Sequence, residues 1–353
     1  MKIYCIKLDA MPFCPEVLAI QKLVNGHFAR QISGSCSLET ACQMLTGKHS
    51  SQLEEHGMGH TLWQERVADL SKSVGPVDTW PEEGTPKWDW IEGSLPLILH
   101  KEGYKCVAVN PFVLSGPLGY VRYPFYQHLV IPEGHLDEHH AYIQKIQTDQ
   151  SDMLYMINYG IGHVAVDTSS SYEDMKDKLR ESCEHILKIL KYWNFSEPNT
   201  LFWIYSDHGP WRWPILGSYP DTCNFITWAV MKDNTDEPVA PLSKVISAQD
   251  FFHIVLSKFG LSPVIINTEK RIYITEDGRH HSDAKKSTTA MACIFEENVF
   301  TYLMYNELED KFLQRTLEYS DETKDFSVHS ESTTEINADL LAALKQHFGW
   351  MKK

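Results

Sequence analysis

The sequence predicts an α/β fold in which helices cover a mainly parallel sheet, followed by a small C-terminal α+β subdomain. Short apolar runs alternate with helix-length amphipathic segments up to residue 263, as in parallel sheets whose strands are joined by crossover helices. Beyond residue 263, strand-like pieces follow one another and end in a helix. A chain of 353 residues can form one large core and a smaller satellite. We therefore predict a main domain over residues 1–263 and a subdomain over 264–353.

The strands of the main domain are predicted from apolar runs that lie between polar or turn-forming residues. These runs are residues 3–8, 105–109, 153–157, 201–205 and 225–231. Helices are predicted at 15–24, after Ser37, at 93–101, at 172–190 and at 248–259. The helix at 172–190 is the clearest, because its apolar residues recur at helical spacing behind the candidate N-caps Ser170 and Ser171. In the subdomain, strands at 271–275 and 300–307 precede a helix at 338–348.

The charge and the cysteine pattern limit the classes of function. A formal net charge of −15 works against binding to nucleic acid or to an anionic membrane. The sequence has no signal-peptide pattern and no apolar segment long enough to span a bilayer. Its eight cysteines include no C-x-x-C pair, which is typical of reduced thiols rather than of a disulfide framework or a zinc site. We therefore expect a cytoplasmic protein that binds neither nucleic acid nor membrane.

Acidic residues follow two of the predicted strands. Asp9 ends the run IKLD, and Asp207 and His208 follow the strand at 201–205 and precede Gly209. Ligands of open α/β sheets bind beyond the carboxyl ends of the strands, so these three side chains could converge on one divalent metal ion. The spacing is equally compatible with carboxylates that only cap the next helix or turn.

Ser37 begins a predicted helix in the segment SGSCSLETACQMLTGK. Backbone N–H groups and the helix dipole stabilise an anion at such a position, and a serine there can act as a nucleophile when a metal lowers the pKa of its hydroxyl. The alternative is an ordinary N-cap, which is the commoner role of a serine at the start of a helix. A capping box is not formed, because Thr40 stands where that motif needs Glu or Gln.

The order of these motifs resembles the sulfatase branch of the alkaline phosphatase superfamily. The sulfatase pattern runs from a strand-end acid, here Asp9, to a nucleophile motif that ends in Leu-Thr-Gly, here SLETACQMLTG. A helix with a Gly-Tyr ending follows, here SLPLILHKEGY, and then a histidine, here His163 in NYGIGHVAVD. The Ser-Asp-His-Gly strand end at 206–209 and the helix in VISAQDFFHIVLSKFGLSP complete the series. The resemblance covers most of residues 1–263 and implies the fold of that superfamily.

The resemblance also implies a metal-dependent hydrolase of sulfate or phosphate esters. Ser37 has the offset of the nucleophile from the Leu-Thr-Gly at 45–47, and the adjacent Cys36 does not. The implied metal ligands are Asp9, Asp207, His208 and the Ser37 oxygen. His163 is implied to contact the anion or to protonate the leaving group. Such a mixed oxygen and nitrogen set suits Mn²⁺, Zn²⁺ or Mg²⁺ better than Ca²⁺.

Two departures from the sulfatase pattern affect the nucleophile and the metal. Glu39 and Ala41 replace the Pro and the Arg on which conversion of a sulfatase nucleophile to formylglycine depends. An unmodified Ser37 is therefore expected, as in relatives that attack phosphorus directly. Ala10 replaces the second Asp of the strand end, so one metal-ligand carboxylate of the sulfatases is missing.

Two further departures affect the charges that face the substrate. The segment 109–111 lacks a Lys and a His that usually face the anion. Arg212 is a candidate replacement, although a surface position between two tryptophans is slightly favoured. Tyr159 stands where two-metal members carry Asp. A second ion would therefore need Asp167 or the two histidines at 280–281 as ligands. Such a pair of histidines more often lies in an exposed turn.

Three functions remain open at the level of sequence. The favoured one is a one-metal hydrolase that uses Ser37, and the others are a two-metal phosphodiesterase or phosphatase and a degenerate member that binds a ligand without turnover. Few cationic residues are predicted to face the substrate, which favours a small monoanionic ester as the substrate. Such an ester is a sulfate ester, a phosphodiester or a phosphonate monoester. Tryptophans at 80, 88 and 90 allow a glycan or aryl alcohol, although such residues more often pack the core. The oligomeric state is left open.

Overall fold

The computed structural model describes residues 1–34, 37–49, 93–109, 126–129, 136–149, 153–209, 225–262, 272–277, 289–306 and 311–347. The strands of the main sheet are β1 (Lys2–Leu8), β2 (His27–Ile32), β3 (Lys105–Val109), β4 (Tyr126–Leu129), β5 (Met153–Tyr159), β6 (Thr200–Tyr205), β7 (Ile226–Asp233) and β8 (Val245–Ser247). The helices between them are α1 (Val17–Val24), α2 (Ser37–Thr46), α3 (Leu95–Lys101), α4 (Leu136–Thr148), α5 (Ile161–Asp167), α6 (Tyr172–Leu190) and α7 (Gln249–Lys258).

The main sheet has the strand order β4-β3-β5-β1-β6-β7-β2-β8. Its described pairs are parallel except those of β7, which runs antiparallel to both β6 and β2. β1 lies between β5 and β6, so the carboxyl ends of these three strands are neighbours at one edge of the sheet. The predicted mainly parallel α/β sheet is therefore confirmed.

Helices cover both faces of this sheet, because the strands are apolar on both. The face of β1 that carries Tyr4, Ile6 and Leu8 packs against α1, α4 and α6. The opposite face, which carries Ile3 and Cys5, packs against α2, α3 and α7. Side chains alternate along a strand, so position 7 and the strand-end position 9 continue the second series, on the side of α2.

A second sheet follows at the C-terminal end of the chain. It consists of β9 (Ile272–Asp277), β10 (Thr289–Glu296), β11 (Val299–Asn306), β12 (Lys311–Tyr319) and β13 (Phe326–Ser332), followed by α8 (Ala338–His347). Its order is β13-β12-β11-β10-β9 and all described pairs are antiparallel. Leu340 and Leu344 of α8 pack on one face of it. The predicted C-terminal α+β unit is confirmed, and the boundary between 263 and 264 stays a prediction, because it lies outside the described residues.

The second sheet is joined to the edge of the first by buried hydrogen bonds. The Tyr273 hydroxyl donates to the Val245 carbonyl over 2.7 Å, and the Thr275 hydroxyl donates to the Ser33 carbonyl over 2.6 Å. Ser33 immediately follows β2 and precedes α2 by a few residues. The C-terminal unit therefore contacts the segment that leads into the helix of the predicted nucleophile.

The strand β2 was not predicted, because polar residues interrupt its apolar pattern. Its sequence is HFARQI, yet its last four residues are buried. The Arg30 guanidinium lies between two aromatic rings, 4.5 Å from the centre of Phe13 and 5.2 Å from that of Phe326. These contacts let a long charged side chain occupy a core position.

Among the described helices, none combines the length and the apolar character that crossing a membrane requires.

Candidate metal centre

The strand-end residues predicted as ligands lie together in the structure. Asp9 follows β1 and Asp207 and His208 follow β6, and these two parallel strands pair with Lys7 opposite Tyr205. One ligand atom of each of the three side chains lies within 4.8 Å of the others. Asp9 is 0% exposed, Asp207 1% and His208 3%. We call these three residues the strand-end site.

A lysine lies between the two carboxylates of this site. The Lys7 Nζ atom is 2.9 Å from Asp9 Oδ2 and 3.1 Å from Asp207 Oδ2. Lys7 precedes Asp9 by two positions on β1, so the alternation of the strand puts both side chains on the same face. Lys7 was not predicted as a site residue, although a charged residue inside an otherwise apolar strand is a visible signal in the sequence.

The ring orientation of His208 is fixed by the backbone. Its Nδ1 lies 2.7 Å from the Gly209 carbonyl oxygen, and because a carbonyl can only accept, Nδ1 carries the proton. The other ring nitrogen, Nε2, faces the site and lies 3.7 Å from both Asp9 Oδ1 and Asp207 Oδ2. A metal-ligating histidine typically donates its other N–H to a carbonyl or a carboxylate in this manner.

His163 also lies beside Asp9. It belongs to the short helix α5, and its Nδ1 is 3.4 Å from Asp9 Oδ1, while its Nε2 is 3.2 Å from Asp167 Oδ2. The helix approaches this closely because residue 162 is glycine. A Cβ there would lie 2.3 Å from the Asp9 carbonyl oxygen. The predicted histidine is therefore in the site, and Asp167 pairs with it.

The charges around Asp9 and His163 shift the pKa values of both groups. Burial alone would raise the pKa of Asp9, but Lys7, His163 and His208 outweigh it and hold that pKa well below its usual value. Burial alone would lower the pKa of His163, but Asp9 and then Asp167 and Asp207 raise it above its usual value. Both shifts act in the direction of an ionised Asp9 beside a protonated His163.

The turn after Asp9 uses an uncommon backbone conformation. Ala10 has φ 54°, in the left-handed region that non-glycine residues seldom adopt. In this conformation its N–H donates to Asp207 Oδ1 over 3.2 Å, and the His208 N–H donates to the same oxygen over 3.1 Å. Residue 10 thus contributes its backbone amide, rather than a side chain, to the strand-end site.

The first turn of α2 is hydrogen-bonded to the strand-end site. Ser37 is the first residue of this helix, and its side chain lies outside the described part of the structure. Thr40, the fourth residue of the helix, donates its hydroxyl to the Asp207 carbonyl over 2.6 Å. The chain before the helix packs tightly on it, because a Cβ at Gly34 would lie 2.2 Å from Cβ of Glu39. These contacts bring the turn that contains Ser37 to the end of β6.

Several sequence-level candidates lie outside the described residues. They are Cys36, Arg212, His280 and His281 and the tryptophans at 80, 88, 90, 211 and 213. The nucleophile offset, a replacement cation at position 212 and a second metal at 280–281 stay predictions. The six described cysteines form no disulfide, and five of them are buried.

Comparisons with known proteins agree with this arrangement at the level of the fold. No protein-family model matches the sequence, and no curated protein matches it either. The structure is similar to the lipoteichoic acid synthase LtaP from Listeria monocytogenes, with a TM-score of 0.56 and 11% identity over 99% of this chain and 91% of that one. It is also similar to a protein in the alkaline phosphatase superfamily from Vibrio parahaemolyticus, with a TM-score of 0.50 and 11% identity over 100% and 88% of the two chains.

The chain has the fold of the alkaline phosphatase superfamily. A third structure, Ps i-CgsB in complex with k-i-k-neocarrahexaose, is similar with a TM-score of 0.51 and 9% identity over 87% and 86% of the two chains. Identities this low establish the alkaline phosphatase superfamily fold and leave the activity to the site itself.

The strand-end site of this superfamily fold fits a divalent cation. Two ligand atoms bound at about 2.1 Å in tetrahedral geometry lie roughly 3.4 Å apart, and His208 Nε2 is 3.7 Å from an oxygen of each carboxylate. The buried Asp9 Oδ1 accepts no hydrogen bond of good geometry from the described residues, although the His163 ring lies 3.4 Å away, and a cation would stabilise such an oxygen. Asp9, Asp207 and His208 are therefore suited to hold the ion.

Proposed function

We propose that this protein is a metal-dependent hydrolase of sulfate or phosphate or phosphonate esters, with Ser37 as the nucleophile. The observation that carries the proposal is the convergence of His208 Nε2 on two buried carboxylate oxygens, at 3.7 Å each. Lys7 compensates one of the two carboxylate charges, and a cation among these three ligand atoms would compensate the other. Mn²⁺, Zn²⁺ and Mg²⁺ accept such a mixed ligand set more readily than Ca²⁺.

The ion would be held by Asp9, Asp207, His208 and the Ser37 oxygen, and it would supply a lowered pKa for that hydroxyl and polarisation of the ester oxygen. Thr40 anchors the first turn of α2 to Asp207, which keeps the nucleophile's helix at the site. The helix N-terminus adds N–H groups that favour an anion. Both features position the ester for attack.

The remaining proton transfers are assigned to His163. Ser37 releases its hydroxyl proton to solvent water, its oxygen attacks sulfur or phosphorus, the bond to the alcohol oxygen breaks, and that oxygen takes the proton of His163. In the second step the neutral His163 takes a proton from the water that attacks the seryl ester, which releases the anion and restores both the Ser37 oxygen and the protonated imidazole. Asp9 and Asp167 on either side of the imidazole raise the pKa of His163, which is the direction that a general acid requires.

The proposal is tested by measuring metal content together with ester hydrolysis. Wild type is assayed for release of p-nitrophenol from sulfate, phosphate, phosphodiester and phosphonate esters, before and after treatment with a chelator. Ser37→Ala should lower kcat/KM on the order of a thousandfold or more and retain its metal. The matched control is Ser257→Ala, because Ser257 donates to Ile254 within α7.

Three outcomes would redirect the proposal. Metal without turnover on any ester would favour a binding protein that has kept the site. Two metal equivalents per chain would favour a two-metal phosphodiesterase or phosphatase instead. Turnover that survives Ser37→Ala would exclude this serine as the nucleophile.

A further inference from the structure

Lys7 is an unusual residue for the interior of a strand. The other residues on its face of β1 are Ile3 and Cys5, which are buried in an apolar cluster with α2, α3 and α7. Lys7 itself is 5% exposed. Burial of a lone ammonium is costly, so the position has to be stabilised by the acidic groups that it contacts.

Those groups are the carboxylates proposed as metal ligands. Lys7 Nζ contacts the Oδ2 atoms of Asp9 and Asp207 at 2.9 and 3.1 Å. It therefore ties together two anions that would otherwise repel each other in a buried site. The outer oxygen, Asp9 Oδ1, is left to face His208 and His163.

The ammonium also changes the charge that an ion meets. Two ionised carboxylates alone carry two negative charges, and with Lys7 the three groups carry a net charge of one negative unit. A divalent ion added to the first set gives a neutral centre, and added to the second gives a positive one. The fixed cation thus opposes the ion and, once the ion is bound, increases the positive charge available to an anionic ester.

We propose that Lys7 is a positioning residue of the metal centre, which holds the carboxylates of Asp9 and Asp207 together before the ion binds and weakens the binding of that ion. This inference rests on the proposed function and adds a control of metal affinity to it. Loss of the Lys7 charge removes the repulsion between ammonium and ion. It also leaves two uncompensated carboxylates in the metal-free protein, so both effects favour the metal-bound state.

The test is a titration of the metal-free protein with Mn²⁺ and with Zn²⁺, followed by calorimetry and by thermal unfolding. For Lys7→Met we expect a Kd for the ion that is lower by about tenfold or more. We also expect a lower Tm without the ion and a larger rise in Tm on adding it. Lys7→Arg keeps the charge and should bind the ion with about the affinity of wild type.

The matched control is Lys2→Met, at the other end of the same strand. Lys2 is also buried and pairs with Glu197 at 2.7 Å, so its loss should lower Tm without changing the Kd for the ion. If Lys7→Met does not fold without metal, the neutral Lys7→Gln is titrated with the same expectation.

The outcomes separate this inference from the proposed function. Tighter binding in Lys7→Met and Lys7→Gln, or binding in these variants alone, supports the role of Lys7. Equal or weaker binding in the neutral variants, with metal bound by wild type, overturns the inference and leaves the hydrolase proposal standing. No metal bound by any of the proteins overturns both.

Discussion

The two ends of β1 each bury a lysine, and the two lysines are neutralised differently. Lys2 Nζ contacts one carboxylate, that of Glu197, at 2.7 Å, and the carbonyl oxygens of Gln147 and Ile146 at 2.6 and 3.3 Å. Lys7 Nζ is shared by two carboxylates. The first end is balanced in charge and the second has one acid in excess.

The two ends of β1 also differ in whether their buried polar atoms all have hydrogen-bond partners. Glu197 also accepts from the Tyr4 hydroxyl at 3.2 Å and from Gln147 Nε2 at 2.8 Å. The polar groups around Lys2 are therefore hydrogen-bonded to one another. At the carboxyl end, Asp9 Oδ1 accepts no hydrogen bond from the described residues. A buried polar group in that state is a candidate contact for a ligand or an ion.

The largest effect on activity is expected from a substitution of Asp9, which carries the negative charge that Lys7 does not balance. Asp9→Asn removes one ligand and leaves Lys7 paired with Asp207. We expect metal-dependent ester hydrolysis to fall on the order of a thousandfold, because the ion's contribution of several kcal/mol to the transition state is lost. The Tm of the metal-free protein should stay the same or rise, since the charges now balance. A large fall in that Tm would contradict the distinction between the two ends of the strand.

The next largest effect is expected at the balanced end. Glu197→Gln leaves the Lys2 ammonium buried without its carboxylate, and breaking one partner of a buried pair typically costs several kcal/mol. We expect the free energy of unfolding in urea to fall by about 3 kcal/mol, with metal affinity unchanged. Loss of metal affinity in this variant would mean that the network and the metal centre are coupled through β1.

His49 is a further buried basic group, and its surroundings favour the neutral ring. His49, just after α2, has its Nδ1 3.3 Å from Gln43 Nε2, and its ring lies against that of His347. Burial, and then His347, lower the pKa of His49 to about 3. The unfolded chain binds this proton near pH 6.5, so between pH 6.5 and 3 the unfolded state holds more protons and stability falls as the pH falls.

His49→Gln should remove that dependence. We expect the slope of unfolding free energy against pH between 4 and 6 to decrease by about 1.4 kcal/mol per pH unit, measured by urea unfolding at several pH values. His27→Gln serves as the control, because His27 is exposed at the start of β2. Equal slopes in wild type and His49→Gln would place the acid sensitivity elsewhere.

The strand-end ligands could be predicted from sequence because parallel strands end at one edge of a sheet. Asp9, Asp207 and His208 follow apolar runs, and their convergence needs no knowledge of side-chain packing. Lys7 was missed because it was counted as part of an apolar run, although its spacing from Asp9 puts both on one face. The role of residue 10 could not be predicted, because it depends on a left-handed turn that presents an amide rather than a side chain.

The fold followed the sequence where the periodicity was clean and departed from it where tertiary contacts decide. The long helix α6 begins where predicted, with the Ser171 hydroxyl accepting from the Asp174 N–H at 3.2 Å. β2 carries Arg30 and Gln31 in buried positions, which local pattern alone would assign to a surface. Aromatic rings from the first loop and from the second sheet make that burial possible.

The hydrogen bonds of Thr275 have a consequence for modularity. Its hydroxyl donates to the Ser33 carbonyl and accepts from Gln43 Nε2 at 3.3 Å, so one side chain of the C-terminal unit contacts both the entry to α2 and its middle. The unit is therefore part of the scaffold on which the proposed nucleophile stands. A relative with a different C-terminal unit would need other side chains to make these contacts with α2. We therefore expect the second sheet and the strand-end site to be conserved together.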